Sequence, residues 1–172
     1  MSVHFIRAVL RHALEAGVDP QQLLRRQRIP PRLLREPQAR IGIQQFADLQ
    51  TLTMQAMRDE SLGYAPRPIP LGSWDMMCHA VITAGTLGQA LHRYCRFFQL
   101  FDDRLPVRLA RDGDEAAVIV DVDTGTRGPF FAELSLLNTH RFACWLVQEE
   151  LPLREVRFAA AASAAPADYR LM

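Results

Sequence analysis

The sequence predicts an α+β protein, with small N-terminal helices and a central helix pair, then a β-hairpin and a further strand packed with a long helix. Three observations carry this. Apolar residues recur at helical spacing through most of the first hundred positions. The period switches to strict alternation after Phe101, and helical spacing returns at Phe130.

In the first third, Phe5, Ile6, Val9, Leu10, Ala13 and Leu14 repeat at helical spacing, and Gly17 supplies a stop. Asp19 followed by Pro20 gives an N-cap and a first-position proline for a second helix through about residue 27. Pro30-Pro31 breaks that helix and opens a short one over residues 32–34. A third helix is expected over residues 44–58, with Phe46, Leu49, Ala56 and Met57 facing inward. Asp59, Glu60, Ser61 and Gly63 close it, and a loop containing Pro66, Pro68 and Pro70 leads on.

Residues 70–101 read as two packed helices joined by a short turn. Thr86 sits where an N-cap belongs, ahead of an apolar face made by Leu87, Leu91, Tyr94, Phe98 and Phe101. Val107 and Leu109 then alternate with Arg108 and Ala110, residues 111–114 form a turn, and Val118, Val120 and Val122 alternate again. That pattern is a hairpin. Residues 124–129 are a loop, and residues 130–149 return to helix with Phe131, Leu134, Phe142, Trp145 and Leu146 at core spacing. Residues 155–159 read as a third strand. After an alanine-rich stretch, residues 168–172 look like the opening of another helix, so the chain is expected to stop short of a natural terminus. The whole reads as one domain over 1–172, helical through residue 64 and α+β over 70–172.

Composition narrows the function classes. A chain of 172 residues, 49% hydrophobic and 23% charged, is ordinary for a globular domain. A net charge of +1 provides no global field toward nucleic acid or an anionic membrane. Charged residues interrupt every apolar run before it reaches membrane-spanning length. The first 17 residues form an amphipathic pattern without a small-residue cleavage site, so no secretory signal is expected. Cys78, Cys95 and Cys144 lie in apolar helical contexts without framework spacing and read as reduced, buried residues of a cytoplasmic protein.

The candidate chemistries sort quickly. There is no nucleophile elbow, glycine-rich phosphate loop or HExxH, so no enzymatic role is expected. His140 and Cys144 lie four apart on one helix, and His92 and Cys95 three apart on another. Two facing pairs would make a zinc site, but apolar stripes more commonly hold satisfied core residues, so no metal is expected. Arg25, Arg26, Arg28, Arg32, Arg35 and Arg40 lie among short helices that resemble a helix-turn-helix. The helix in the recognition position carries only Arg58, at its far end, so the cluster reads as a solvated or partner-facing surface. Trp74, Met76, Met77, Tyr94, Phe97, Phe98, Phe130, Phe131 and Trp145 exceed what one face of each helix needs. Core packing is the commoner role for any one of them. An arginine beside such aromatics can nonetheless hold a carboxylate or phosphate in an apolar cleft.

Several pieces fall in the order found in one known family. They are Leu62-Gly63, Gly72-Ser73-Trp74, Thr86-Leu87-Gly88-Gln89-Ala90-Leu91, Arg96-Phe97, the turn at Asp112-Gly113-Asp114, residues 142–146, Leu151-Pro152-Leu153, Val156-Arg157-Phe158 and Tyr169. The ordered set resembles the N-terminal effector domains of AraC-type bacterial transcription regulators, the arabinose-binding-domain-like group. The resemblance implies a homodimer that senses a small molecule and controls DNA through a C-terminal helix-turn-helix domain of about a hundred residues, which this chain does not contain. It implies no cofactor and no membrane. The effector is expected to have an apolar part and, where Arg96 engages it, an anionic group. The expected ligand residues are Trp74, Met77, Arg96 and Phe97, with Tyr94 and His140 behind them; helix 130–149 is a candidate dimer surface. The alternative is a dimerisation or protein-interaction domain without a ligand.

Overall fold

The computed structural model describes residues 1–101, 107–121 and 130–159. Val122, the loop 124–129 and the expectations for residues 160–172 lie outside the described residues. The chain divides into two compact units, Met1–Leu71 and Gly72–Met172.

The first unit holds helices α1 (Val3–Leu10), α2 (Pro20–Arg26) and α3 (Ile43–Met57), with a 3₁₀ turn at Pro31–Arg35. Phe5, Ile6 and Val9 of α1, Leu24 of α2 and Leu49 of α3 are fully buried. α1 ends earlier than the apolar pattern suggests, and residues 11–17 continue as turns. That change of geometry carries His12 inward and leaves Leu14 71% exposed, so Leu14 is not a core residue. Asp19 caps α2 as expected, its Oδ1 accepting from the Gln21 amide at 2.9 Å, with Pro20 at the first position. On α3 the buried stripe is Phe46, Leu49 and Thr53, and it stops before the last turn, where Ala56 is exposed and Met57 half-buried. Thr53 tolerates burial because its hydroxyl donates to the Leu49 carbonyl at 2.7 Å. The N-terminus is tied down by backbone pairing that no alternation announces: the Met1 ammonium donates to the Ile41 carbonyl at 2.7 Å and the Val3 amide to Ala39 at 3.1 Å. After α3, the Tyr64 hydroxyl donates to the Ala8 carbonyl at 2.8 Å, and His12 meets the Tyr64 ring edge-on. Gly63 is required there. Its φ is +80°, and an added Cβ would lie 2.7 Å from the His12 Cβ.

The second unit begins with α4 (Ser73–Ile82) and α5 (Leu87–Gln99). Thr86 caps α5, its hydroxyl accepting from the Gln89 amide at 3.2 Å. Arg93 ties the pair together, donating to the Ala80 carbonyl at 3.2 Å and the Thr83 hydroxyl at 3.0 Å, at the carbonyl end of α4. β1 (Val107–Asp112) and β2 (Glu115–Val120) form an antiparallel hairpin closed by Gly113 and Asp114. Val107 pairs with Val120 and Leu109 with Val118, so one face of the hairpin is apolar and packs on α5. α6 (Phe130–Val147) packs on α5 and β2, completing a core of Met77, Val81, Ala90, Tyr94, Cys95, Val107 and Phe142.

The α+β class therefore holds, with two corrections. Among the described residues the sheet has two strands, and residues 155–159 are not a third. Val156 and Phe158 are both exposed, so the alternating positions find no surface to cover; the segment is linked to β2 by an Arg154–Glu115 ion pair instead. Trp145 is 53% exposed rather than core, because Phe142, Ala143 and Cys144 take the buried side of α6. Among the described residues, no helix is long and apolar enough to cross a membrane.

Candidate functional site

A tyrosine in an apolar stripe must find a partner for its hydroxyl. The cap at Thr86 sets the phase of α5 so that Tyr94 points at α6, where Thr139 lies 2.8 Å from its hydroxyl. Thr139 spends its own proton on the Ser135 carbonyl at 2.7 Å, so Tyr94 is the donor of the pair. Burial pushes the Tyr94 hydroxyl up to about 12. The Trp74 ring meets Tyr94 edge-on at 6.5 Å and Phe142 at 5.5 Å, while Met77 is fully buried in the same cluster. Phe97 packs against this cluster, half-buried.

Four of the six expected residues thus come together: Trp74, Met77, Tyr94 and Phe97. Arg96 is exposed and makes no ion pair among the described residues. His140 has other work. Its Nε2–H donates to the Leu151 carbonyl at 2.8 Å, and the Leu151 amide donates to the Cys144 sulfur at 3.4 Å. The pair clasps the chain leaving α6, which turns there through Gln148 at φ +58°. His92 is exposed while Cys95 is buried, and among the described residues no cluster of three or more ligating side chains could hold a metal. All three cysteines are free, Cys78 only half-buried. Burial raises the Cys78 and Cys95 thiols, and the nearby Asp75 charge raises Cys78 further, so both are poor nucleophiles.

One groove in this unit, among the described residues, lies beside the aromatic cluster. It holds about 360 Å³ and runs between the α4–α5 turn and the C-terminal end of α6. Val81, Ile82, Leu87 and Ala90 line one side, and Trp145 and Leu146 the other. Thr86 and Gln148 add polar groups, and no ionisable side chain lines it. None of the six expected residues does either. The link between groove and cluster is Trp145, which stacks on Phe142 with centroids 5.9 Å apart and planes 14° apart. Thr139 was the residue most accessible to sequence reasoning yet absent from the expected set: a hydroxyl in an apolar stripe one turn before Phe142 is the partner a buried tyrosine needs.

The family model for the N-terminal arabinose-binding domain of AraC transcription regulators matches residues 17–172. The chain is also 26% identical over 159 residues to an ornithine utilization regulator of Pseudomonas aeruginosa, an alignment covering 90% of this chain and 46% of that protein. It therefore spans a little under half of that relative's length. No solved structure matches the chain. Since the matched span takes in all but the first 16 residues, the chain belongs to the family of N-terminal arabinose-binding domains of AraC-type transcription regulators.

Proposed function

We propose that this chain is the effector-sensing and dimerisation part of an AraC-type regulator, and that its ligand state biases how a C-terminal helix-turn-helix domain meets DNA. The observation that carries the proposal is the uncharged groove abutting the Trp145–Phe142 stack. Its volume suits a small organic molecule. Its lining suits a neutral, mostly apolar one with a hydroxyl or carbonyl for Thr86 or Gln148. An effector like ornithine, for whose utilization the relative is named, would bring two ammonium groups and a carboxylate that nothing in this lining neutralises. A ligand lying against Trp145 acts on Phe142, and through it on Trp74 and Tyr94, so it can favour one packing of α4, α5 and α6 over another.

The ligand-free reading, a dimerisation domain alone, is favoured by one observation: Met77 and Tyr94, two of the expected ligand residues, are buried in the core. Native mass spectrometry separates the two. A dimer carrying a co-purified small molecule supports sensing, whereas a bare dimer supports dimerisation alone. The site itself is tested with N-phenyl-1-naphthylamine, an uncharged apolar dye. Ile82 is exposed at the groove wall, so Ile82→Trp fills the space without disturbing the core. It is expected to weaken dye binding by about tenfold or more, while Arg96→Ala leaves it within about twofold. The reverse result places the site at Arg96.

A further inference from the structure

The net charge of +1 conceals a division between the two units. Residues 1–71 carry ten arginines against six carboxylates, a balance of +4, and residues 72–172 carry ten against thirteen, a balance of −3. Within the first unit the excess is local. Arg25, Arg26, Arg28, Arg32 and Arg35 fall within eleven residues, and all five side chains are exposed. Arg25 shares its charge with Asp19 at 3.7 Å; Arg26, Arg28, Arg32 and Arg35 make no ion pair among the described residues.

The backbone beneath them is held in place. Leu23, Leu24 and Ile29 are buried, and the Ile29 amide donates to the Leu24 carbonyl at 2.9 Å as the chain turns through Arg28 at φ +54°. The Arg7 guanidinium donates twice to the Leu34 carbonyl, fastening the 3₁₀ turn to α1. Arg32 and Arg35 are one 3₁₀ turn apart, which puts them on one face about 6 Å from each other. The bland explanation covers only part of this. Cations at the carbonyl end of α2 stabilise that helix, which accounts for Arg25 and Arg26. Arg32 and Arg35 also lie at the carbonyl end of their 3₁₀ turn, but five residues carry little dipole to offset, and Arg28 lies beyond the end of α2.

We infer that the arginine face over residues 25–35 is a docking surface for the phosphate backbone of duplex DNA. It supplies sequence-independent contacts beyond those of a helix-turn-helix domain. The inference rests on membership of a transcription-regulator family, not on the effector reading. Such a protein works while held at a duplex, so phosphate is the anion this face meets at high local concentration. Arginine on a fixed backbone is well matched to it, each guanidinium offering a fork of donors to phosphate oxygens.

The test uses this chain and a fluorescent 30-base-pair duplex of arbitrary sequence, followed by anisotropy. Binding is expected near 50 mM salt, with a loss of roughly a hundredfold by 200 mM if about four phosphates are engaged. The double variant Arg32→Glu/Arg35→Glu should weaken it by about tenfold or more and flatten the salt dependence by about two phosphate equivalents. A matched reversal at two exposed hairpin positions, Arg108→Glu/Arg111→Glu, should leave it within about twofold. Circular dichroism confirms that both variants fold. Absence of binding at low salt overturns the inference, as does an equal loss in both variants. Capture of an acidic protein in place of the duplex also overturns it.

Discussion

Replacing Asp59 with alanine is expected to cost the helical unit about 3–5 kcal/mol, a large part of what a domain of this kind possesses. The Asp59 side chain is buried just after α3, and its two oxygens organise the loop that follows. Oδ1 accepts from the Ser61 amide at 2.8 Å, the Ser61 hydroxyl at 2.7 Å and the Ile69 amide at 2.8 Å, and Oδ2 accepts from the Gly63 amide at 2.8 Å. Alanine leaves three backbone donors without that acceptor, in a loop already committed to positive φ at Arg58, Leu62 and Gly63. Hydrogen bonds to a charged acceptor are worth about 1.5–3 kcal/mol each, but water and local relaxation recover part of the sum. The Asp59→Asn variant, which keeps one acceptor oxygen and replaces the other with an amide, should fall between the two. Trp74 and Trp145 both lie in the second unit, which makes the experiment selective. In urea, the far-ultraviolet helix signal of Asp59→Ala should begin to fall well before tryptophan emission changes. A loss below about 1 kcal/mol would show that the loop holds without its carboxylate.

What the sequence made legible was what neighbours in sequence decide. Asp19-Pro20 and Thr86 cap their helices because capping is a matter of two or three residues, and the hairpin pairs as its alternation requires. The failures are non-local. Nothing in Met1 or Ile41 announces that they will pair across forty residues, and nothing in Asp59 says that its carboxylate will reach Ile69. Val156 and Phe158 alternate like a strand but meet no face to cover, and Trp145 keeps core spacing while three other residues occupy the buried side. The candidate site divides along the same line. Aromatic residues marked where side chains would crowd together, and Trp74, Met77, Tyr94 and Phe97 do. A groove is the opposite, a place where side chains fall short, and its sequence signal was the pair of small residues Ala84 and Gly85 in the α4–α5 turn.

Tyr94→Phe should be less stable than the parent at neutral pH and more stable above about pH 11. At neutral pH the variant loses one hydrogen bond and orphans nothing, since Thr139 still donates to Ser135, so the cost is about 1 kcal/mol. The alkaline side follows from proton linkage. In the unfolded chain a tyrosine ionises near 10, whereas burial holds Tyr94 to about 12. Between those values the unfolded state has released a proton that the folded state retains, so stability falls as pH rises, by about 1.4 kcal/mol per unit and about 2–3 kcal/mol in all. Phenylalanine has no proton to release and escapes that loss. The raised Cys78 and Cys95 thiols depress alkaline stability in both proteins, and their charge adds to the rise at Tyr94, so the difference reports the tyrosine together with that coupling. Urea unfolding between pH 7 and 12, read by tryptophan emission from the second unit, should give curves that cross. Parallel curves would mean that water reaches the Tyr94 hydroxyl, and that α5 and α6 are not closed over it in the way that gives the neighbouring groove its wall.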